Sequence, residues 1–231
     1  MSVRNERRNT ALQVVLLFGL VSALGDITYE SARGVGGPYL AMLGAGAGAI
    51  GLVSGLGEFI GYGLRLASGY IADRTRAYWV GAFIGYGLLL AIPLLALANR
   101  WEMAALFLIL ERVGKAVRSP SRDAILSHAT QQIGRGWGFA LHEALDQVGA
   151  VIGPLILAAV FLAKGDYRSG LGLMAIPALL ALAALVVAWR RAPSPEALEA
   201  PADPSTAPNN SDGRLGRAFW AYAAFSFVSV A

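Results

Sequence analysis

Six ionisable residues lie inside stretches of sequence that are otherwise oily. Asp26, Glu58, Arg65, Glu111, Arg112 and Asp146 fall within apolar runs, with Glu30 and Glu143 nearer their ends. A charge at the centre of a bilayer costs about 2.5–3.5 kcal/mol on insertion scales, so each is a candidate functional residue by position alone. Glu58 and Arg65 are seven apart, two helical turns on one face, and cost less to bury if paired with each other or with a neighbour. Glu58 and Asp146 both fall near the middle of their runs. Two carboxylates at matched depth could bind a proton or a cation, and they, rather than Asp26 or Glu30, are expected to hold a coupling proton. The alternative is that they lock helices together through hydrogen bonds. Asp26 and Glu30 form an i, i+4 pair beside Tyr29 and Arg33: either a cation-attracting vestibule or, for Glu30 and Arg33, ordinary side chains reaching for the interface. Glu111 and Arg112 point about 100° apart, so they cannot both face one cavity. Arg112 is assigned to a path for a polar solute and Glu111 to a pairing with another helix. His142, Glu143 and Asp146 share a face where a transition metal is conceivable, but two histidines without a dense ligand cluster assign no metal and no cofactor.

The apolar runs that carry these residues span 11–31, 46–71, 78–98, 102–117, 137–163 and 170–190. Each is close to the ~20 residues that cross about 30 Å of hydrocarbon, the fourth being short. Charged residues make up 15% of the chain, against about 25% in a soluble domain, so the fold expected is all-α and membrane-embedded. The 28 glycines let helices approach closely. The absence of cysteine excludes disulfides, thiolate metal sites and cysteine nucleophiles. The isoelectric point near 9.6 reflects membrane topology rather than nucleic acid as a partner. With the N-terminus inside, the 19 Lys and Arg divide as 13 cytoplasmic, 4 external (Arg33, Arg100, Lys164, Arg168) and 2 intramembrane (Arg65, Arg112). That split obeys the positive-inside rule and places the chain in the cell inner (plasma) membrane, multi-pass, with a cytoplasmic N-terminus. Arg4, Arg7 and Arg8 precede a first run too long for a signal peptide, which reads as an uncleaved anchor. Tyr78-Trp79, Trp101, Trp137 and Trp189 fall at span ends, as an interfacial belt requires.

Residues 1–190 therefore read as a six-helix bundle. Residues 191–217 hold five of the ten prolines and read as a disordered cytoplasmic linker. Residues 218–231 are apolar but too short to span, and read as the truncated start of a seventh helix. An internal repeat runs through the bundle. Leu17-Phe18, Gly25 and Arg33 recur 89 residues on as Leu106-Phe107, Gly114 and Arg122. Gly46, Gly48, Glu58 and Gly61 recur 88 on as Gly134, Gly136, Asp146 and Gly149, and Ala91-Ile92-Pro93 recurs 84 on as Ala175-Ile176-Pro177. Three spans being odd, the two triplets have opposite orientation, an inverted-topology repeat.

The loop after the second span carries Gly69-Tyr-Ile-Ala-Asp73-Arg74-Thr-Arg76. It resembles the G-x-x-x-D-R-x-G-R signature of the major facilitator superfamily, shortened by the loss of its second glycine. Arg112 followed by Gly114 resembles that family's membrane arginine motif, with Ala116 where glycine is usual. Gly149-Ala-Val-Ile-Gly153-Pro154 resembles the G-x-x-x-G-P element of its antiporter branches. Six spans, a long loop and a new span match the family's N-terminal half, and the resemblance covers essentially the whole chain. It implies transmembrane transport of a small molecule or ion by alternating access, with proton-coupled efflux suggested by the fifth-span element and the buried acids. It also implies that the cavity needs the missing C-terminal half or a second copy. Asp73 could accept hydrogen bonds from a neighbouring helix N-terminus, with Arg74 and Arg76 clamping a gate and Gly69 allowing close approach; otherwise the motif is a charged turn. Gly149, Gly153 and Pro154 are assigned to helix packing. An enzyme is not expected: Val53-Ser54-Gly55 only partly matches the serine motif of rhomboid-type intramembrane proteases, and only His142 could reach membrane depth. A non-transporting membrane fragment is the other alternative.

Overall fold

The computed structural model describes residues 3–198 and Trp220. Trp220 apart, the expected start of a seventh helix lies outside the described residues, as does the expected linker beyond Leu198. Six long helices follow in order: α1 (Val3–Met42), α2 (Ala47–Thr75), α3 (Tyr78–Leu97), α4 (Trp101–Thr130), α5 (Arg135–Lys164) and α6 (Tyr167–Arg191). No strand occurs among the described residues. Five of the six are long and apolar enough to cross a membrane; α4 carries too many charges to qualify by composition.

Prolines set the local irregularities. Pro93 has no N–H to offer Leu89, and its ring crowds that carbonyl. The helix accordingly tightens into a 3-10 turn at Leu88–Leu90 and resumes at Ala91. Pro177 stands in the same relation to Leu173, and α6 breaks at Met174 and resumes at Ala175. Pro120 lies within α4 without ending it.

Helix α1 packs along α5 and α6, α4 packs along α2 and α3, and α1 and α4 also touch. The first seam is nearly backbone on backbone. A methyl group on Gly149 would collide with the Ala23 main chain, and one on Gly153 with that of Ile27. This is the close approach that small residues four apart allow. Pro154, next along, lines an apolar groove with Ser31, Leu157 and Phe161. Two apolar clusters form the core, one around Val14, Phe18, Trp79, Leu126 and Leu185, the other around Tyr39, Leu40, Leu95, Ala105 and Leu171. The polar stretches of α1 and α4 fall between them.

Three expectations are corrected. The stretch after 117 is not a basic loop: α4 stays helical to Thr130, with Arg118 held by Glu111 and Arg122 by Asp123 and Ser22. Trp79 does not face outward as a belt residue would; it is buried in the core, where its indole N–H donates to the Ala192 carbonyl at 3.0 Å. The segment after α6 is structured where it begins. Pro195–Leu198 form a 3-10 turn, Leu198 is buried, and Gln132 Nε2 donates to its carbonyl at 2.9 Å.

Candidate functional site

The site grows from the polar stripe of α4. Glu111, Lys115, Arg118 and Arg122 are spaced i, i+4, i+7, i+11 and share one face, turned toward α1. Two adjoining recesses form around it. The first, about 240 Å³, is lined by Tyr29, Arg33, Glu58, Gly61, Tyr62, Arg65, Arg112, Lys115 and Ala116. The second, about 70 Å³, is lined by Ser22, Gly25, Asp26, Arg65, Tyr86, Lys115, Arg118, Ser119, Arg122 and Asp146. Arg65 and Lys115 belong to both and form the partition.

All five residues expected along a polar path, Asp26, Glu58, Arg65, Arg112 and Asp146, line one or other recess. Their pairings differ from the simplest expectation. Glu58 does not meet Arg65; its Oε1 lies 2.9 Å from Arg112 Nη1. The pair is partly exposed, so it contributes little to stability and mainly orients the guanidinium. Arg112 also donates to the Tyr29 hydroxyl. Arg65 donates to the Ser119 hydroxyl at 3.2 Å. Glu111 does not pair with another helix: it holds Arg118, seven residues on in α4, at 3.0 Å with both side chains buried. Helical geometry makes that choice, since i and i+7 stack two turns apart. Glu30 and Arg33 form an exposed ion pair at 3.4 Å.

The two acids expected at matched depth do not share a recess. Asp146 lines the second with Asp26, close enough that the two repel, whereas Glu58 lines the first. Asp146 Oδ1 is buried without a hydrogen-bond partner among the described residues. Buried polar atoms are nearly always partnered, which marks this oxygen as unusual.

The sequence reading missed several residues. Lys115 was assigned to the cytoplasmic side, yet its ammonium sits 3.5 Å from the Tyr29 ring centroid and interacts with Asp26. Arg118 and Arg122, also assigned there, are inside the bundle. Arg118 stacks over Tyr86 at 5.5 Å. Ser22 joins Tyr86 at 3.2 Å, His142 at 2.8 Å and Arg122 at 3.4 Å. The stripe spacing in α4 was the available signal. His142 is thus bound to Ser22, while Ser54 lines a separate small recess beside Arg112; the serine and histidine of a protease are not assembled.

The expected gating motif lies at the end of α2. Asp73, Arg74 and Arg76 are exposed, and Arg74 Nη1 donates to the Tyr70 hydroxyl at 3.0 Å. Arg76 has φ 54°, a left-handed conformation in which its N–H caps the Ala72 carbonyl at 2.8 Å. Gly69 faces Pro120, but a Cβ there would make ordinary contact at 3.7 Å, so close approach does not require glycine.

Comparison with known proteins agrees with this architecture. An uncharacterized protein of Mycobacterium tuberculosis is 45% identical over 226 residues, which cover 96% of this chain and 55% of that protein. An uncharacterized MFS-type transporter of Methanocaldococcus jannaschii is 33% identical over 150 residues, 64% of this chain and 37% of its own length. The multidrug resistance protein MdtH of Photorhabdus laumondii is 29% identical over 206 residues, 86% of this chain and 50% of its own. The chain thus spans about half the length of the curated relatives it matches. The family model described as the Major Facilitator Superfamily matches residues 10–231. With apolar helices around a polar interior and a match over nearly every residue, the chain is a multi-pass membrane protein that belongs to the Major Facilitator Superfamily.

Proposed function

We propose that the chain is the N-terminal half of a secondary active transporter, moving a small solute by alternating access and coupling its efflux to protons. The carrying observation is the pair of recesses, where charged groups from α1, α2, α4 and α5 meet between two apolar clusters. Ionisable residues this costly to bury in a membrane mark solute and proton paths. Asp26 and Asp146 carry the proton in this reading, because they share a chamber and Asp146 has an oxygen without a donor. The Glu58–Arg112 pair faces the solute, and Arg65 divides the two.

Six spans in two inverted triplets are part of the proposal, with α4 as the sixth span. The packing supports it: exchanging each helix for the one three later turns the contacts of α1 with α5 and α6 into those of α4 with α2 and α3. The matching breaks before Pro93 and Pro177 support it as well. The missing half of the cavity would come from a C-terminal half or a second copy. In support, α2 and α5, the middle helices of the two triplets, are the least buried spans and present Leu52, Phe59, Leu66, Val151, Leu155 and Leu162 outward. The remaining outward surface would face the lipid bilayer. Asp73, Arg74 and Arg76 would gate the path from the cytoplasmic side. A cytoplasmic N-terminus is supported by the basic-residue split, which stands at 10 cytoplasmic against 4 external once Lys115, Arg118 and Arg122 are counted inside the bundle. On intact cells an impermeant thiol reagent should label Lys164→Cys and not Arg135→Cys, and the opposite pattern would invert the topology.

The functional test uses the complete gene product in proteoliposomes. Asp26→Asn and Asp146→Asn are expected to retain solute exchange and lose accumulation driven by a proton gradient. Full accumulation by both variants would remove these acids from coupling.

A further inference from the structure

The first recess is charged well beyond what its own pairs neutralise. Four cations line it, Arg33, Arg65, Arg112 and Lys115, with one carboxylate, Glu58. Glu58 takes Arg112 at 2.9 Å, and Glu30, outside the recess, takes Arg33 at 3.4 Å. Arg65 touches only a neutral hydroxyl, Ser119 Oγ, at 3.2 Å. Lys115 faces the Tyr29 ring on this side, and the Asp26 charge it feels belongs to the neighbouring chamber. Two cations therefore look into the recess without a carboxylate in contact among the described residues. Like charges gathered in a low-dielectric wall repel one another, and that repulsion is relieved by an anion.

The shape narrows the class. This half contributes a recess of about 240 Å³, below the roughly 300–1,000 Å³ of pockets that enclose drug-sized ligands, so the part of the solute it grips is small. Tyr29 and Tyr62 supply ring surface for a carbon body. Guanidinium groups present parallel N–H donors that match the paired oxygens of a carboxylate or phosphate.

Resting on the transporter reading above, we propose that the solute taken by this recess is a small organic oxyanion, a carboxylate or a phosphate monoester. Arg65 and Lys115 are its counter-charges, and Tyr29 and Tyr62 hold its carbon body. Glu58 then acts as an internal competitor: it occupies Arg112 when the recess is empty and yields it when the oxyanion enters. A competitor that is removed leaves the site stronger, which separates this role from a structural ion pair.

The test is isothermal titration of the complete gene product in nanodiscs of zwitterionic lipid, at low and high salt. The probes are benzoate, phenyl phosphate, inorganic phosphate and benzylammonium. Benzoate and phenyl phosphate should bind, more weakly at high salt, and benzylammonium should not. Charge-assisted hydrogen bonds contribute about 1.5–3 kcal/mol, so Arg65→Gln should weaken benzoate about tenfold or more. Glu58→Gln should tighten benzoate, and because a gain cannot come from misfolding, it keeps the test decisive if Arg65→Gln unfolds. Benzylammonium binding that Glu58→Gln abolishes would overturn the oxyanion class and leave the transporter reading standing. Inorganic phosphate binding as tightly as phenyl phosphate would overturn the role of the two tyrosines. Conversely, benzoate binding with no solute flux in proteoliposomes would uphold the oxyanion class and sink the transporter reading.

Discussion

In the proposed repeat, two seams of this bundle use the same contact in opposite ways. Along α1 and α5, Gly149 and Gly153 bring main chains together and leave no room between them. The counterpart contact joins α2 and α4. There Gly61, the repeat mate of Gly149, faces the Arg112 carbonyl, and a Cβ on it would stand 4.0 Å away. At the position matching Gly153 stands Arg65, which reaches Ser119 Oγ at 3.2 Å, and at the position matching Ala23 stands Arg112, opposite Gly61. Two arginines stand here in place of a glycine and an alanine and make the second seam polar. The recess thus lies along the polar seam, while main-chain contact closes the glycine seam.

The largest expected effect separates the seams directly. Gly149→Ala should cost about 1–3 kcal/mol or more, as overpacking does when backbone must shift, whereas Gly61→Ala should be nearly neutral. Thermal unfolding of both variants in detergent reads the contrast, and equal losses would end it. A middle-sized effect lies at the ends of the same two helices. Helix α5 ends on Gly165 at φ 72°, while α2 ends on Arg76 at φ 54°. A left-handed residue other than glycine costs about 1–2 kcal/mol. Arg76→Gly should therefore raise stability by about 1 kcal/mol and Gly165→Ala lower it by a similar amount. If the Arg76 side chain gates, as strain kept at a functional site suggests, the stabilised variant should also transport more slowly; unchanged flux would make the residue a turn and nothing more.

The smallest effect concerns the starts of α3 and α6. Ala77 gives α3 no side-chain cap, whereas Asp166 accepts the Ser169 N–H at 2.7 Å and caps α6. Those hydrogen bonds hold the Asp166 carboxyl below its usual range. A depressed carboxylate stabilises the fold above its unfolded pKa, about pH 4, and the contribution disappears as pH falls through the lower folded value. Asp166→Asn should keep the cap and remove this shallow acid dependence from the unfolding curve. A curve for Asp166→Asn that keeps the same acid slope would assign that slope to other groups.

Much of this was legible in the residues. Five of the long helices coincide with runs of apolar sequence, and the rarity of charge within such runs singled out five residues that line the two recesses. The failures share one cause: hydropathy records that a side chain is polar and not which way it faces. Lys115, Arg118 and Arg122 resembled a loop because their partners, Asp26, Glu111 and Ser22, lie on other turns or another helix. Tyr29 and Ser22 drew no attention because neither is costly in a membrane. The pairing of Asp26 with Asp146 depends on how α1 crosses α5, which the Gly149–Gly153 seam fixes and a linear spacing cannot.

The fastening after α6 has a mechanical meaning. The chain is tied at Ala192 to the Trp79 indole and at Leu198 to the Gln132 amide. The described chain is therefore held as far as Leu198, seven residues past the end of α6. Both ties sit at helix ends, one in the first turn of α3 and one just past the end of α4, the helix that carries the polar stripe.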